Sequence, residues 1–83
     1  MTQSLAREFG GDNVQINAVL PGFLRTGLVG NLTEKQLAEH AAANTLGRLN
    51  DLDEVARFVV FLTSLRNVSG QVFQLDSRLA PVL

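Results

Sequence analysis

Three observations predict an α/β fold with a parallel strand pair. Two short segments of alternating or β-rich character, residues 14–20 and 71–75, read as strands. Between them stand two side-chain helix caps, at Thr33 and Asp51, each followed by an apolar or helix-forming run. A connection that long and that helical favours a parallel pair, joined in the right-handed βαβ sense, over a hairpin.

The chain opens on the end of a helix. Leu5 and Phe9 lie four apart with Arg7 and Glu8 between them, and Gly10-Gly11 follows as a stop signal. No cap precedes this helix, so its upstream turns look missing and the start is not expected to be a domain edge. In residues 14–20, Val14, Ile16, Ala18 and Leu20 fall on one face and Gln15, Asn17 and Val19 on the other. Pro21-Gly22 ends that strand, because proline has no amide for the ladder and glycine permits a sharp turn.

After a loop, Thr33-Glu34-Lys35-Gln36 has the form of a capping box and predicts a helix to about Asn44. Its alanines give helix propensity but little apolar bulk, so its stability must come from docking, as suits a lid. Asp51-Leu52-Asp53-Glu54 is a second cap, with acidic residues complementing the positive helix end. Leu52, Val55, Val59, Leu62 and Leu65 then recur at three- and four-residue spacing, and Phe58 and Phe61 widen the stripe until the helix needs burial on two sides. A parallel sheet also needs both faces covered. Two strands and about three helices do not supply that cover, so the sequence reads as part of something larger.

Composition narrows the function classes. Eighty-three residues, 46% apolar and 18% charged, describe one small globular unit rather than a disordered segment. Seven basic and eight acidic residues are interspersed, which leaves no electrostatic footprint for nucleic acid or an anionic membrane. No apolar run approaches the ~20 residues of a membrane span, and a cytoplasmic location is expected. There is no cysteine, and His40 is the sole histidine with no partner at metal-ligand spacing, so no metal site is assigned. Gly22 and Gly27 have the separation of a phosphate-binding loop, but Leu28 stands where the lysine is required.

Several segments together resemble a known family. They are Leu5-Ala6-Arg7-Glu8-Phe9, Val14-Gln15-Ile16-Asn17-Ala18-Val19, Pro21-Gly22-Phe23-Leu24-Arg25-Thr26, Leu46-Gly47-Arg48-Leu49, Asp53-Glu54-Val55-Ala56, Phe61-Leu62-Thr63-Ser64 and Ser69-Gly70-Gln71-Val72. In this order and spacing the chain resembles the second half of a short-chain dehydrogenase/reductase of the 3-oxoacyl-carrier-protein reductase type, over residues 1–76. The resemblance implies the C-terminal portion of a Rossmann-like doubly wound parallel sheet, with residues 14–20 as the sixth strand and 72–75 as the seventh. It implies a single partial domain over residues 1–83, with residues 23–46 as a substrate loop or lid.

Pro21, Gly22, Leu24 and Thr26 are the cofactor-binding residues the resemblance implies. The backbone of Leu24 would meet the nicotinamide carboxamide, and the Thr26 hydroxyl would also contact the cofactor, NAD or NADP, in the complete enzyme. Binding of dinucleotide by this chain alone is not expected. Phe23, Leu28, Val29 and Leu32 would form either an apolar wall there or ordinary core. Arg48 has two readings, a grip on a cofactor phosphate or a pairing with Asp51, Asp53 or Glu54, and the local charge pattern favours the pairing.

No catalytic residue is assigned. The family's hydride transfer uses a Tyr-x-x-x-Lys pair and a serine, whereas this chain has no tyrosine and its one lysine, Lys35, lies on another helix. Its seven glycines never form the glycine-rich cofactor turn. The chain alone is therefore expected to be inactive, its partner being the missing N-terminal half of the fold or a homo-oligomer mate, and its substrate a small carbonyl or alcohol in the complete enzyme. The alternative is a non-catalytic interaction module or oligomerisation piece. Asp76-Ser77-Arg78 replaces the family's usual Asp-Gly-Gly, which puts its tight turn in doubt. Phe58, Phe61, Phe73 and the apolar tail are candidates for subunit contact or for intrachain core.

Overall fold

The computed structural model describes residues 1–24 and 32–79. In chain order the elements are α1 (Thr2–Phe9), a short 3-10 turn (Gly10–Asp12), β1 (Ala18–Leu20), α2 (Glu34–Ala42), α3 (Leu52–Thr63) and β2 (Val72–Gln74). The two strands pair in parallel with Ala18 opposite Val72 and Leu20 opposite Gln74. The α/β class and the parallel pairing are those predicted.

The stop after α1 differs from expectation. Gly10 keeps right-handed helical angles (φ −61°), and the chain tightens through the 3-10 turn before Asn13 takes the left-handed position at φ 60°. Asparagine tolerates that region better than other residues with a Cβ. The Asn13 amide donates to the Gly10 carbonyl at 3.0 Å and closes the turn.

β1 is also shorter than the seven residues expected, and its partner explains why. β2 begins only at Val72, so upstream of Ala18 there is loop rather than strand to pair with. Residues 14–17 instead clasp that loop largely through side chains. Gln15 Nε2 donates to the carbonyls of Leu65 and Val68, both at 2.9 Å, and the Ser69 hydroxyl accepts from the Ile16 amide at 3.0 Å. Asn17 donates to Val68 O and accepts from the Gln71 amide. The alternation in residues 14–17 therefore serves a polar clasp, with only the Gly70 amide to Ile16 carbonyl bond (2.7 Å) joining backbone to backbone.

Both predicted caps form. The Thr33 hydroxyl accepts from the Gln36 amide at 3.1 Å while the Gln36 side chain accepts from the Thr33 amide at 3.0 Å. Asp51 accepts from the Glu54 amide at 2.8 Å and starts α3. α3 ends at Thr63, so Leu65 lies beyond it. One side of α3 meets the sheet: the Phe58 and Phe73 rings pack tilted with centroids 5.2 Å apart. Phe58 and Phe73 thus take the intrachain role, whereas Phe61 stays 59% exposed and Val60 69%.

The core is thin. Among the described residues only Val55 and Asn44 are buried. The chain exposes 6655 Å², against about 4,900 Å² for a folded monomer of this mass. Its radius of gyration is 15.5 Å, where about 12 Å is usual for a compact domain of this length. The second side of α3, which the sequence requires to be covered, stays exposed at Val60 and Phe61 and has no cover among the described residues.

Candidate functional site

Because β1 and β2 run in parallel, their carboxyl ends lie at one edge of the sheet, and the segments that follow them meet there. Pro21 and Gly22 leave β1, and Gly22 turns through φ 73°. That angle suits glycine because it has no Cβ to clash with its own backbone. Leu75 leaves β2 and donates its amide to the Leu20 carbonyl at 2.8 Å. Leu24 then forms an isolated parallel bridge with Asn50.

Asn50 is a hub that sequence reasoning missed. Its side-chain amide donates to the Leu75 carbonyl, its Oδ1 accepts from the Asp51 amide at 2.8 Å, and its backbone pairs with Leu24. One residue thereby joins the end of β2, the start of α3 and the segment after Pro21-Gly22. The only local signal was an amide side chain directly before an N-cap.

Asp76 packs beneath the turn. A Cβ placed on Gly22 would fall 2.8 Å from Asp76 Cβ and 2.9 Å from its Cγ, closer than real Cβ contacts allow. The Asp76 side chain is only 2% exposed and pairs with Arg78 Nε at 2.6 Å. Its Oδ1 also accepts from Gln74 Nε2 at 2.9 Å and from the Arg78 amide at 3.3 Å. Burial pushes the carboxyl up, but the bonds from Gln74 and Arg78 and the Arg78 charge outweigh it and hold the group below the ordinary aspartate value.

Residues 76–78 bend although no glycine stands there, the Asp76 carboxylate accepting from the Arg78 amide and side chain. Ser77 spends its polar groups on the base of α2. Its carbonyl accepts from the Thr45 amide and hydroxyl, both at 2.8 Å, and its hydroxyl accepts from the Leu46 amide at 3.1 Å. The Ser77 amide donates to Asn44 Oδ1 at 3.2 Å, while Asn44 Nδ2 reaches the His40 carbonyl at 3.1 Å. In the last turn of the same helix His40 stacks on Phe23, centroids 3.9 Å apart and planes within 9°.

The structure thus brings Pro21, Gly22 and Leu24 together at the carboxyl edge. Thr26, Leu28 and Val29 lie outside the described residues. Arg48 corrects the sequence reading: it shares a cleft of about 330 Å³ with Glu54, Phe58 and Asp76, but the ion pairs among the described residues are Arg57 with Asp53 and Arg78 with Asp76. The i, i+4 spacing on α3 gives Asp53 to Arg57, and Arg48 sits on a loop with no such geometric advantage. A larger cleft, about 520 Å³, opens at the amino edge beside Arg7 and Arg66, away from the turn. No group of three or more metal-ligating side chains, and no helix long and apolar enough to cross a membrane, occurs among the described residues.

Comparison with known proteins gives this arrangement its family. The family model described as enoyl-(acyl carrier protein) reductase matches residues 1–77. The 3alpha-hydroxysteroid dehydrogenase of Mediterraneibacter gnavus is 38% identical over 78 residues, covering 92% of this chain and 31% of that protein. The 3-oxoacyl-acyl-carrier-protein reductase of Thermotoga maritima is 38% identical over 81 residues, 95% of this chain and 33% of that protein. Carbonyl reductase family member 4 of Xenopus laevis is 36% identical over 78 residues, 94% of this chain and 32% of that protein. The chain spans about a third of the length of these relatives. With a family match over nearly its whole length and its parallel α/β architecture, the chain belongs to the short-chain dehydrogenase/reductase family.

Proposed function

We propose that this chain is the C-terminal part of an NAD(P)-dependent oxidoreductase acting on a carbonyl or alcohol substrate, and that it supplies the nicotinamide-side wall and the lid base. The observation that carries the reading is the position of Pro21-Gly22 and Leu24 at the carboxyl edge of a parallel strand pair, the edge at which open α/β sheets bind their ligands. The residues present suit the nicotinamide end. Gly22 offers bare backbone on the sheet edge, and Leu24, extended against Asn50, presents main-chain groups of the kind a carboxamide matches. Pro21, Gly22, Leu24 and Thr26 would hold that end. When bound, a nicotinamide dinucleotide supplies or accepts the hydride.

This chain holds no counterpart for the pyrophosphate or for proton transfer, since it has neither a glycine-rich turn nor a tyrosine. It acts, on this reading, only beside an upstream half of the fold. The surplus of exposed surface supports that, because about 1,800 Å² beyond the folded-monomer norm is more than one partner usually contributes to a standard interface.

Replacing the matching third of the Thermotoga maritima reductase by this chain tests the reading. The chimera should oxidise reduced nicotinamide in the presence of a small carbonyl substrate, while the isolated chain does not. A chimera that melts cooperatively yet binds no dinucleotide would overturn it.

A second reading, an interaction module, is favoured by the exposed apolar residues Val60 and Phe61 on the outer side of α3. Stable self-association of the isolated chain in sedimentation, with a Tm indifferent to dinucleotide, would select it.

A further inference from the structure

We infer that Asp76 is the positioning residue of the Pro21-Gly22 turn, its carboxylate occupying the space beneath Gly22 and so fixing the backbone of residues 21–24 against which the nicotinamide would lie. The inference rests, for its consequence, on the cofactor reading proposed above. The contact itself stands on geometry within this chain.

Three independent observations meet at this point. The room on Gly22 where any other residue carries Cβ is taken by Asp76, whose Cβ and Cγ lie 2.8 and 2.9 Å from that position. The Asp76 side chain is nearly fully enclosed, and every polar group holding it comes from its own strand end: Gln74 Nε2, Arg78 Nε and the Arg78 amide. The strand ends are themselves joined by the Leu75 amide to Leu20 carbonyl bond, which brings residue 76 under residue 22. The carboxylate is thus aimed by β2 and pressed against the turn that leaves β1.

Such a support acts on a cofactor through another residue. Backbone groups bind only where the main chain holds them, and a misplacement of about 1 Å at a reacting site can cost up to about a hundredfold in rate. Removing the carboxylate lets the turn relax into the vacated space while α1, α2 and α3 keep their own contacts.

The experiment has two arms. In the first, the 83-residue chain is titrated by NMR while the Gly22 and Phe23 amide shifts are followed. The other ionisable groups lining the neighbouring cleft are Arg48 and Glu54, and Arg78 pairs with Asp76 directly. The Gly22 amide should report a transition below the ordinary aspartate value that Asp76→Asn abolishes and that Glu54→Gln leaves in place. Gly22→Ala should lower the Tm far more in the native chain than in an Asp76→Ala background, where the added methyl has room. Additive effects of the two substitutions, or a Gly22 transition that survives Asp76→Asn, would overturn the inference.

In the second arm Asp76→Asn is placed in the chimera described above. The cofactor KM should rise by about tenfold, within the range a small misplacement produces, and Asp76→Glu should restore part of it. A chimera that binds dinucleotide equally well with and without Asp76→Asn overturns the positioning role alone. An unsubstituted chimera that binds none, in a chain whose Gly22 titration behaves as described, overturns the cofactor reading and with it this consequence, while the contact stands.

Discussion

Phe23 and His40 stack face to face, with ring centroids 3.9 Å apart and planes 9° from parallel. The pair ties the segment directly after the Pro-Gly turn to the exposed side of α2, a helix whose own alanine-rich surface offers little else to hold it. Just past His40, beyond the carboxyl end of the same helix, Asn44, Thr45 and Leu46 bond to Ser77. The carboxyl end of α2 is therefore held by two segments, at Phe23 and at Ser77, that sequence separates widely.

Breaking the aromatic anchor should loosen α2 without touching the sheet. A Phe23→Ala, His40→Ala double-mutant cycle should give a coupling of about 0.5–1.5 kcal/mol in urea unfolding, the range of stacked rings beyond their area burial. A coupling near zero would mean that the two rings act independently.

Asn44 is the one polar residue among those described that is buried as a whole, backbone included, at 6% exposed. Asn44→Leu should cost about 1–3 kcal/mol, because it strands the Ser77 amide that the side chain now pairs, while the His40 carbonyl keeps the Ala43 amide. Faster amide exchange at Ser77, ahead of any change in α3, is the measurement that identifies this cause.

Each helix cap should be separately removable. Thr33→Ala loses the capping box of α2 and Asp51→Ala the cap of α3, each at about 1 kcal/mol. Thermal melts followed by far-UV circular dichroism should show both losses, and the sum should hold for the double variant because the sites share no partner.

The Asp76 carboxyl gives stability a pH dependence of known sign. Its folded-state pKa lies below the ordinary value of 3.8, so the folded chain binds this proton less readily than the unfolded one. The stabilisation is complete above the unfolded value and is lost as pH falls through the lower folded one. Unfolding free energy should drop in that acid window, and Asp76→Asn should flatten the drop.

The helices of this fold are plain in the sequence because their signals are local. Thr33 with Gln36, and Asp51 with Glu54, are pairs three residues apart that need no knowledge of the rest of the chain. The length of β1 was not legible, since a ladder ends where its partner ends, and that partner lies 54 residues away at Val72. The turn residues Pro21, Gly22 and Leu24 were found through their resemblance to a family, and their meeting at the carboxyl edge follows from the parallel pairing. Asp76 and Asn50 were missed for the same reason that β1 was overestimated. Their importance lies in contacts across 54 and 25 residues, to Gly22 and Leu75 respectively, and no spacing rule along the chain encodes those. Arg48 was misread because nearness in sequence to three acidic residues does not orient a loop arginine toward any of them.

The ribbon formed by β1 and β2 is only two strands wide and three rungs long. Its outer rims carry main-chain groups that no other described strand engages, so in deuterated buffer these amides should swap isotope almost as fast as in a loose peptide. Any neighbour that zips onto a rim would slow that swap rung by rung, which makes the ribbon a built-in gauge of whether, and on which flank, another strand has docked.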